Sequence, residues 1–220
     1  GRVIYGDEIM IIFARAILEE NPSATIVGEV KCSQIMYDEI TRLGGNAVMW
    51  KTGHSLIKSK MVELKAAMAG EMSGHIFFAD RYLGFDDAVY ASARLLEILV
   101  KKREKDPAFK FSSLLAGLPS SVVTPEYRVE SSDDDKFKVI EEVKELVGKE
   151  VGEGSNIRDL IDIDGLRVVF NGGWALVRAS NTQPVLVMRF EADDEKLLEE
   201  YKGFMRDHLR RARPTLEVSF

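Results

Sequence analysis

The chain has 220 residues, of which 45% are apolar and 30% charged, and its net charge at neutral pH is -6. This composition supports one large globular core or two small ones and excludes a disordered chain, while the acidic balance excludes a general nucleic-acid binder. The single cysteine, Cys32, excludes an internal disulfide and suits a reducing cytoplasm, and no apolar run approaches the roughly 18 residues of a membrane span.

The first hundred residues alternate helix and strand patterns. Asp7 can cap a helix whose apolar stripe, Ile9, Ile12, Phe13, Ala16 and Ile17, is spaced for one buried face. A strand is predicted over residues 25–30, then a helix from Ser33 through Ile35, Met36, Ile40 and Leu43 that Gly44 and Gly45 close. Residues 46–50 read as the next strand. A helix from Ser55 follows, with Met61, Leu64 and Met68 on its apolar face. After the stretch GEMSGHIFF (70–78), a long helix is predicted from Asp86 to about Lys105, ending before Pro107. Alternation of this kind predicts an α/β domain with a mixed, largely parallel sheet over residues 1–106.

Residues 107–126 carry Pro107, Gly117, Pro119, Pro125 and a serine cluster, and read as a linker. Over 127–220 the texture changes. A helix near 135–147 precedes short strands at 166–171, 174–179 and 185–190, joined by tight turns at Gly172–Gly173 and 181–184. A helix bearing Leu197, Leu198, Tyr201, Phe204, Met205 and Leu209 and a short strand ending at Phe220 complete a small α+β domain with an antiparallel sheet.

Two stretches carry chemistry. In GEMSGHIFF the Glu71 carboxylate can accept two neighbouring hydroxyls of a sugar, Ser73 adds an adaptable hydroxyl, and Gly74 permits a backbone angle that lets the loop approach a ligand closely. A polar turn between two strands is the plainer alternative. In RASNTQP (178–184), the guanidinium fork of Arg178, the hydroxyls of Ser180 and Thr182 and the amide of Asn181 can form a cradle for phosphate or carboxylate. A simple hairpin turn accounts for the same residues. Lys31 in VKCS and His54 in KTGHS stand at the ends of neighbouring strands, where α/β folds gather ligands and where cationic groups would favour an anionic substrate. Other patterns are set aside. Asp162 and Asp164 in DIDGLR lack a further alternating oxygen donor and read as an edge turn, and SDDDK (132–136) reads as a helix start. Three histidines and one cysteine argue against a transition-metal site.

The motifs GEMSGHIFF, WKTGHSLIK, EVKCS and RASNTQPVLVMRFEA occur in an order that resembles the α-D-phosphohexomutases, most closely the bacterial phosphomannomutase/phosphoglucomutase group. The resemblance covers essentially the whole chain. It implies that Glu71, Ser73 and Gly74 bind the sugar, that Lys31, His54 and His75 surround the transfer site, and that Arg178, Ser180, Asn181 and Thr182 form the phosphate-binding loop. It also implies hexose phosphates as substrates, glucose 1,6-bisphosphate as activator and Mg2+ as cofactor, in a cytoplasmic monomer without a nucleic-acid or membrane partner. The family's phosphoserine motif, T-A-S-H-N-P, and its D-G-D-x-D-R magnesium loop do not occur here. With Gly1 in place of a methionine, the expectation is therefore a fragment: the third and fourth domains of a four-domain mutase, whose N-terminal domains are its missing partner. A phosphoglucosamine mutase fragment and a stand-alone sugar-phosphate module are the alternatives. Met72 stands where the glucosamine group tends to carry a polar residue, which favours hexose phosphates.

Overall fold

In the computed structural model, which describes residues 2–220, the chain divides into two units between Pro119 and Ser120. In the first, chain order runs α1 (Gly6–Glu20), β1 (Thr25–Glu29), α2 (Gln34–Arg42), β2 (Asn46–Trp50), α3 (His54–Glu63), β3 (Met68–Gly70), β4 (Ile76–Phe78) and α4 (Ala88–Lys105). The sheet order is β2-β1-β3-β4. β1 pairs with β2 and β3 in parallel, and β4 runs antiparallel to β3. This is the mixed, largely parallel sheet with helices that the alternating pattern predicts. Because the parallel strands share a direction, the segments after Glu29, Trp50 and Gly70 emerge at one end of the sheet, beside the start of β4.

Helix α1 departs from the expected single buried face. Met10, Ile11, Ile12, Phe13 and Ala14 are all buried in succession, since the helix packs against α2, α4 and β3 together. Phe13 meets Phe78 edge to face at 4.9 Å, a geometry that adds to simple area burial. Asp7 does not cap this helix. It lies in the first turn, buried, and its carboxylate accepts the Ser33 N–H at 2.9 Å. α3 is shorter than the pattern predicts: it stops at Leu64, Lys65 turns left-handed with φ 51°, and Met68 becomes the first residue of β3. The 61, 64, 68 spacing is helical by coincidence.

Residues 107–126, expected as a linker, are shared between the units. Phe111–Leu115 forms a 3-10 turn whose Leu114 is buried in the first core. Beyond the boundary the second unit runs β5 (Val122–Val123), β6 (Tyr127–Glu130), α5 (Lys136–Gly148), β7 (Ile157–Ile161), β8 (Leu166–Phe170), β9 (Gly173–Ala179), β10 (Val185–Ala192) and α6 (Glu195–Ala212). Its antiparallel sheet has the order β5-β10-β9-β8-β7, with β6 also on β10. Alternate residues of the central strands, Leu166, Val168, Phe170, Ala175, Val177, Leu186, Met188 and Phe190, share one core with Val139, Val143, Tyr201, Met205 and Leu209 of α5 and α6. The expected strand at the C-terminus does not form. Phe220 is held by stacking on Tyr127 at 5.2 Å, and its carbonyl accepts from the Arg206 guanidinium.

Candidate functional site

At the carboxyl end of the parallel strands, one buried carboxylate joins the loops. Glu29, the last residue of β1, has no exposure to water. It accepts the Lys31 N–H at 2.7 Å, the Thr52 hydroxyl at 2.8 Å and the Met72 N–H at 3.1 Å, and the Lys31 ammonium stands 3.9 Å away. Residues of three separate loops therefore end on a single side chain. Burial pushes the Glu29 pKa up from its ordinary value, and the Lys31 charge and these hydrogen bonds offset part of that rise.

The loop after β3 is fixed from several sides. Glu71 is buried, its Oε1 accepts the Gly53 N–H at 2.8 Å, and the Ser73 hydroxyl approaches its Oε2 at 3.4 Å. Gly74 takes φ 99° and donates its N–H to the Glu71 carbonyl, while an added Cβ would meet nothing within 4 Å. Its requirement is thus conformational and not steric. The opposite holds at Gly6, where a Cβ would lie 2.5 Å from the Glu71 carbonyl oxygen and 2.7 Å from that of Met72. The Gly6 N–H donates to the Met72 carbonyl at 3.0 Å, so the first turn of α1 rests directly on this loop. Met72 itself belongs to the apolar core and is 8% exposed.

His54 opens α3 and His75 precedes β4, and the structure sets their rings 4.4 Å apart and nearly perpendicular. Both address Asp86, with His54 Nε2 at 2.9 Å and His75 Nδ1 at 2.7 Å from the same carboxylate oxygen. The other oxygen of Asp86 accepts the Ile76 N–H at 3.2 Å. Sequence reasoning singled out both histidines and missed Asp86. Scarcity of histidine argued against a transition-metal site, yet two of the three histidines share one carboxylate.

In the second unit, Arg178 on β9 is buried, and its Nε donates to Asp164 at 2.9 Å. Its Nη2 is buried without a hydrogen-bond partner among the described residues. Asp164 lies in the turn between β7 and β8. That turn sits against β9 only because Gly165, at φ 80°, has no side chain: a Cβ would stand 2.6 Å from the Arg178 Cα. DIDGLR is the expected edge turn, and its acid serves the arginine. Ser180 follows two residues after Arg178. Its hydroxyl accepts the N–H groups of Thr182 at 3.3 Å and Gln183 at 3.2 Å, which curls the loop. Asn181 and Thr182 are exposed at its tip. The loop is tied from below, since Lys136 donates to the Gln183 carbonyl at 3.1 Å and Arg128 to its side-chain oxygen at 2.7 Å.

The chain is thus a mixed α/β unit whose parallel strands end together, followed by an antiparallel unit with a curled loop beside a buried arginine. Residues 5–117 match the model of phosphoglucomutase/phosphomannomutase α/β/α domain III, and residues 126–208 match that of the C-terminal domain of the same enzymes. The chain belongs to the phosphoglucomutase/phosphomannomutase family. It is 46% identical over 220 residues to the phosphomannomutase/phosphoglucomutase of Pseudomonas aeruginosa, covering all of this chain and 45% of that protein. With the phosphoglucomutase of Neisseria gonorrhoeae it shares 44% identity over 203 residues, 92% of this chain and 42% of the relative. A crystal structure of a family protein from Burkholderia thailandensis superposes with a TM-score of 0.86 at 40% identity, over 100% of this chain and 44% of that one. The chain thus spans about half the length of these relatives.

Proposed function

We propose that this chain is the sugar- and phosphate-holding half of a mutase that interconverts hexose 1-phosphates and hexose 6-phosphates through a 1,6-bisphosphate. The observation that carries the proposal is the buried Nη2 of Arg178, left without a partner on a guanidinium whose Nε is fixed by Asp164. A cation prepared in this way takes an anion, and the Ser180-bent loop beside it offers the hydroxyl and amide donors of Thr182 and Asn181. Glu71 and Ser73 take the sugar hydroxyls, and the held position of the Glu71 carboxylate limits what they have to reorganise. His54 and His75 serve as the proton acceptors near the transferring phosphoryl group, with Lys31 supplying positive charge.

The phosphoserine donor and the magnesium loop of such enzymes have no counterpart in these residues. Magnesium takes oxygen ligands, and the three-donor cluster of this chain is built on two imidazoles. Donor and metal belong to segments of the kind the longer relatives carry. What these residues contribute is binding: one phosphate stays in the Arg178 loop while the other end of the sugar reacts. Because the substrate binds in two orientations, the loop must hold either phosphate. Glucose 1,6-bisphosphate, with both, fits it as intermediate and activator.

The test is steady-state kinetics, in both directions, of the complete protein carrying this chain. Charged hydrogen bonds contribute about 1.5–3 kcal/mol each, so Arg178→Ala lowers catalytic efficiency roughly ten- to more than a hundredfold for 1- and 6-phosphates alike. Arg178→Lys restores part of the loss, returning charge without the fork. A defect in one direction only would overturn the shared-loop reading.

A further inference from the structure

We propose that His54, His75 and Asp86 form a binding site for one transition-metal ion of the zinc type. The donors are right for it, since imidazole nitrogen and carboxylate oxygen suit zinc, nickel and copper. Their ligand atoms all lie within 4.8 Å of one another, and Asp86 already gathers both rings on one oxygen at 2.9 and 2.7 Å. Zinc bonds of about 2.0–2.2 Å place ligand atoms on the order of 3.3 Å apart around a tetrahedral ion, so the two Asp86–histidine separations need to widen by only about half an ångström. The side chains have room to do so, since the histidines are 51% and 49% exposed and Asp86 is 25% exposed.

The frame around them is firmer than the side chains. His54 begins a helix, His75 leads into β4, and Asp86 bridges to Phe77 of that strand. The Ile76 N–H holds the second oxygen of Asp86, as outer-sphere donors hold metal-ligating carboxylates, and the His54 ring lies edge to face on Phe77 at 5.0 Å. The ion would take the nitrogens that now face Asp86, with the proton of each neutral ring moving to its other nitrogen. The outward positions stay open to water or a phosphate oxygen. Metal occupancy leaves a proton on each outward nitrogen, which then cannot accept one as the proposed acid–base role requires, so a bound ion inhibits. This last step rests on the proposed function, whereas the binding itself does not.

Binding is measured by titrating the purified chain with Zn2+ against a chromophoric chelator, with Co2+ absorption reporting the coordination sphere. One equivalent binds, and His54→Ala or His75→Ala each weakens it at least about tenfold, the lower range for disturbing a metal's surroundings. His208→Ala, which removes the third histidine on α6, leaves affinity unchanged. Wild-type affinity retained in either single variant, or no saturable binding, would overturn the site. Circular dichroism confirms that the half-exposed positions tolerate the changes. In the complete protein, Zn2+ inhibits turnover in the presence of excess Mg2+, and the His54→Ala and His75→Ala affinities identify the ion responsible. Zinc bound here with turnover undiminished upholds the site and removes the histidines from the acid–base role.

Discussion

Glu29 has no access to water, yet three loops hold on to it through Lys31, Thr52 and Met72. Its pKa is raised by burial, so the folded chain keeps a proton that the unfolded chain has already released. Unfolding therefore releases a proton at any pH between the ordinary glutamate value of 4.5 and the raised folded one. Stability contributed by the protonated form is complete below 4.5 and falls as pH rises through the folded pKa. Glu29→Gln cannot titrate and should lack this slope. Denaturant unfolding from about pH 4.5 to about pH 8 should show wild type losing stability relative to the variant as pH rises. A constant difference across that range would show that the carboxylate does not titrate there. Glu71, Ser73 and His75 were legible because they are crowded into five positions. Glu29, Asp86 and Asp164 were not, because their partners lie on other elements. Asp164 in particular read only as part of an edge turn, and its role shows in the fold, which places Arg178 beside it.

At the scale of elements, the contact of α1 with the loop after β3 is decided by one missing side chain. A Cβ on Gly6 has backbone atoms of Glu71, Met72 and Gly74 within 2.5–2.7 Å, and backbone cannot rotate away as a side-chain tip can. Gly6→Ala must displace the helix start or the loop, at about 1–3 kcal/mol, the range of other overpacked sites. Denaturation gives the cost, and amide chemical shifts at Met72 and Gly74 identify the loop as what moves. Unchanged shifts there would place the strain elsewhere. Most elements were legible from apolar spacing, and the failures have physical causes. Met68 fell on the helical period of Met61 and Leu64, whereas Lys65 had already turned the chain. β7 was missed because Arg158 and Asp159 interrupt its apolar run, and its pairing with β8 holds it all the same. In α1 the run Met10–Ala14 has no polar side because neighbours enclose it.

At the scale of the molecule, the two units have separate cores. Met188 is fully buried in the core of the second. Met188→Ala should cost about 2–5 kcal/mol, and that loss should fall on one unit. Hydrogen exchange should quicken at amides of residues 120–220 and stay unchanged in β1. Equal acceleration in both would mean that the units unfold as one. The order of pairing in the second sheet also has a consequence for synthesis on the ribosome. β5 and β6 are made early, but among the described residues their only strand partner is β10, whose Glu191 pairs with Val123. At about 5–20 residues per second, the wait for that partner is roughly three to fourteen seconds. During that interval the first unit, whose strands are complete by Phe78, is free to fold ahead of the second. The nascent stretch 121–130 must meanwhile remain unpaired without recruiting a strand from another chain. Ser121, Pro125, Glu126, Arg128 and Glu130, set among Val122, Val123, Tyr127 and Val129, are the residue types that keep a waiting strand from finding the wrong partner.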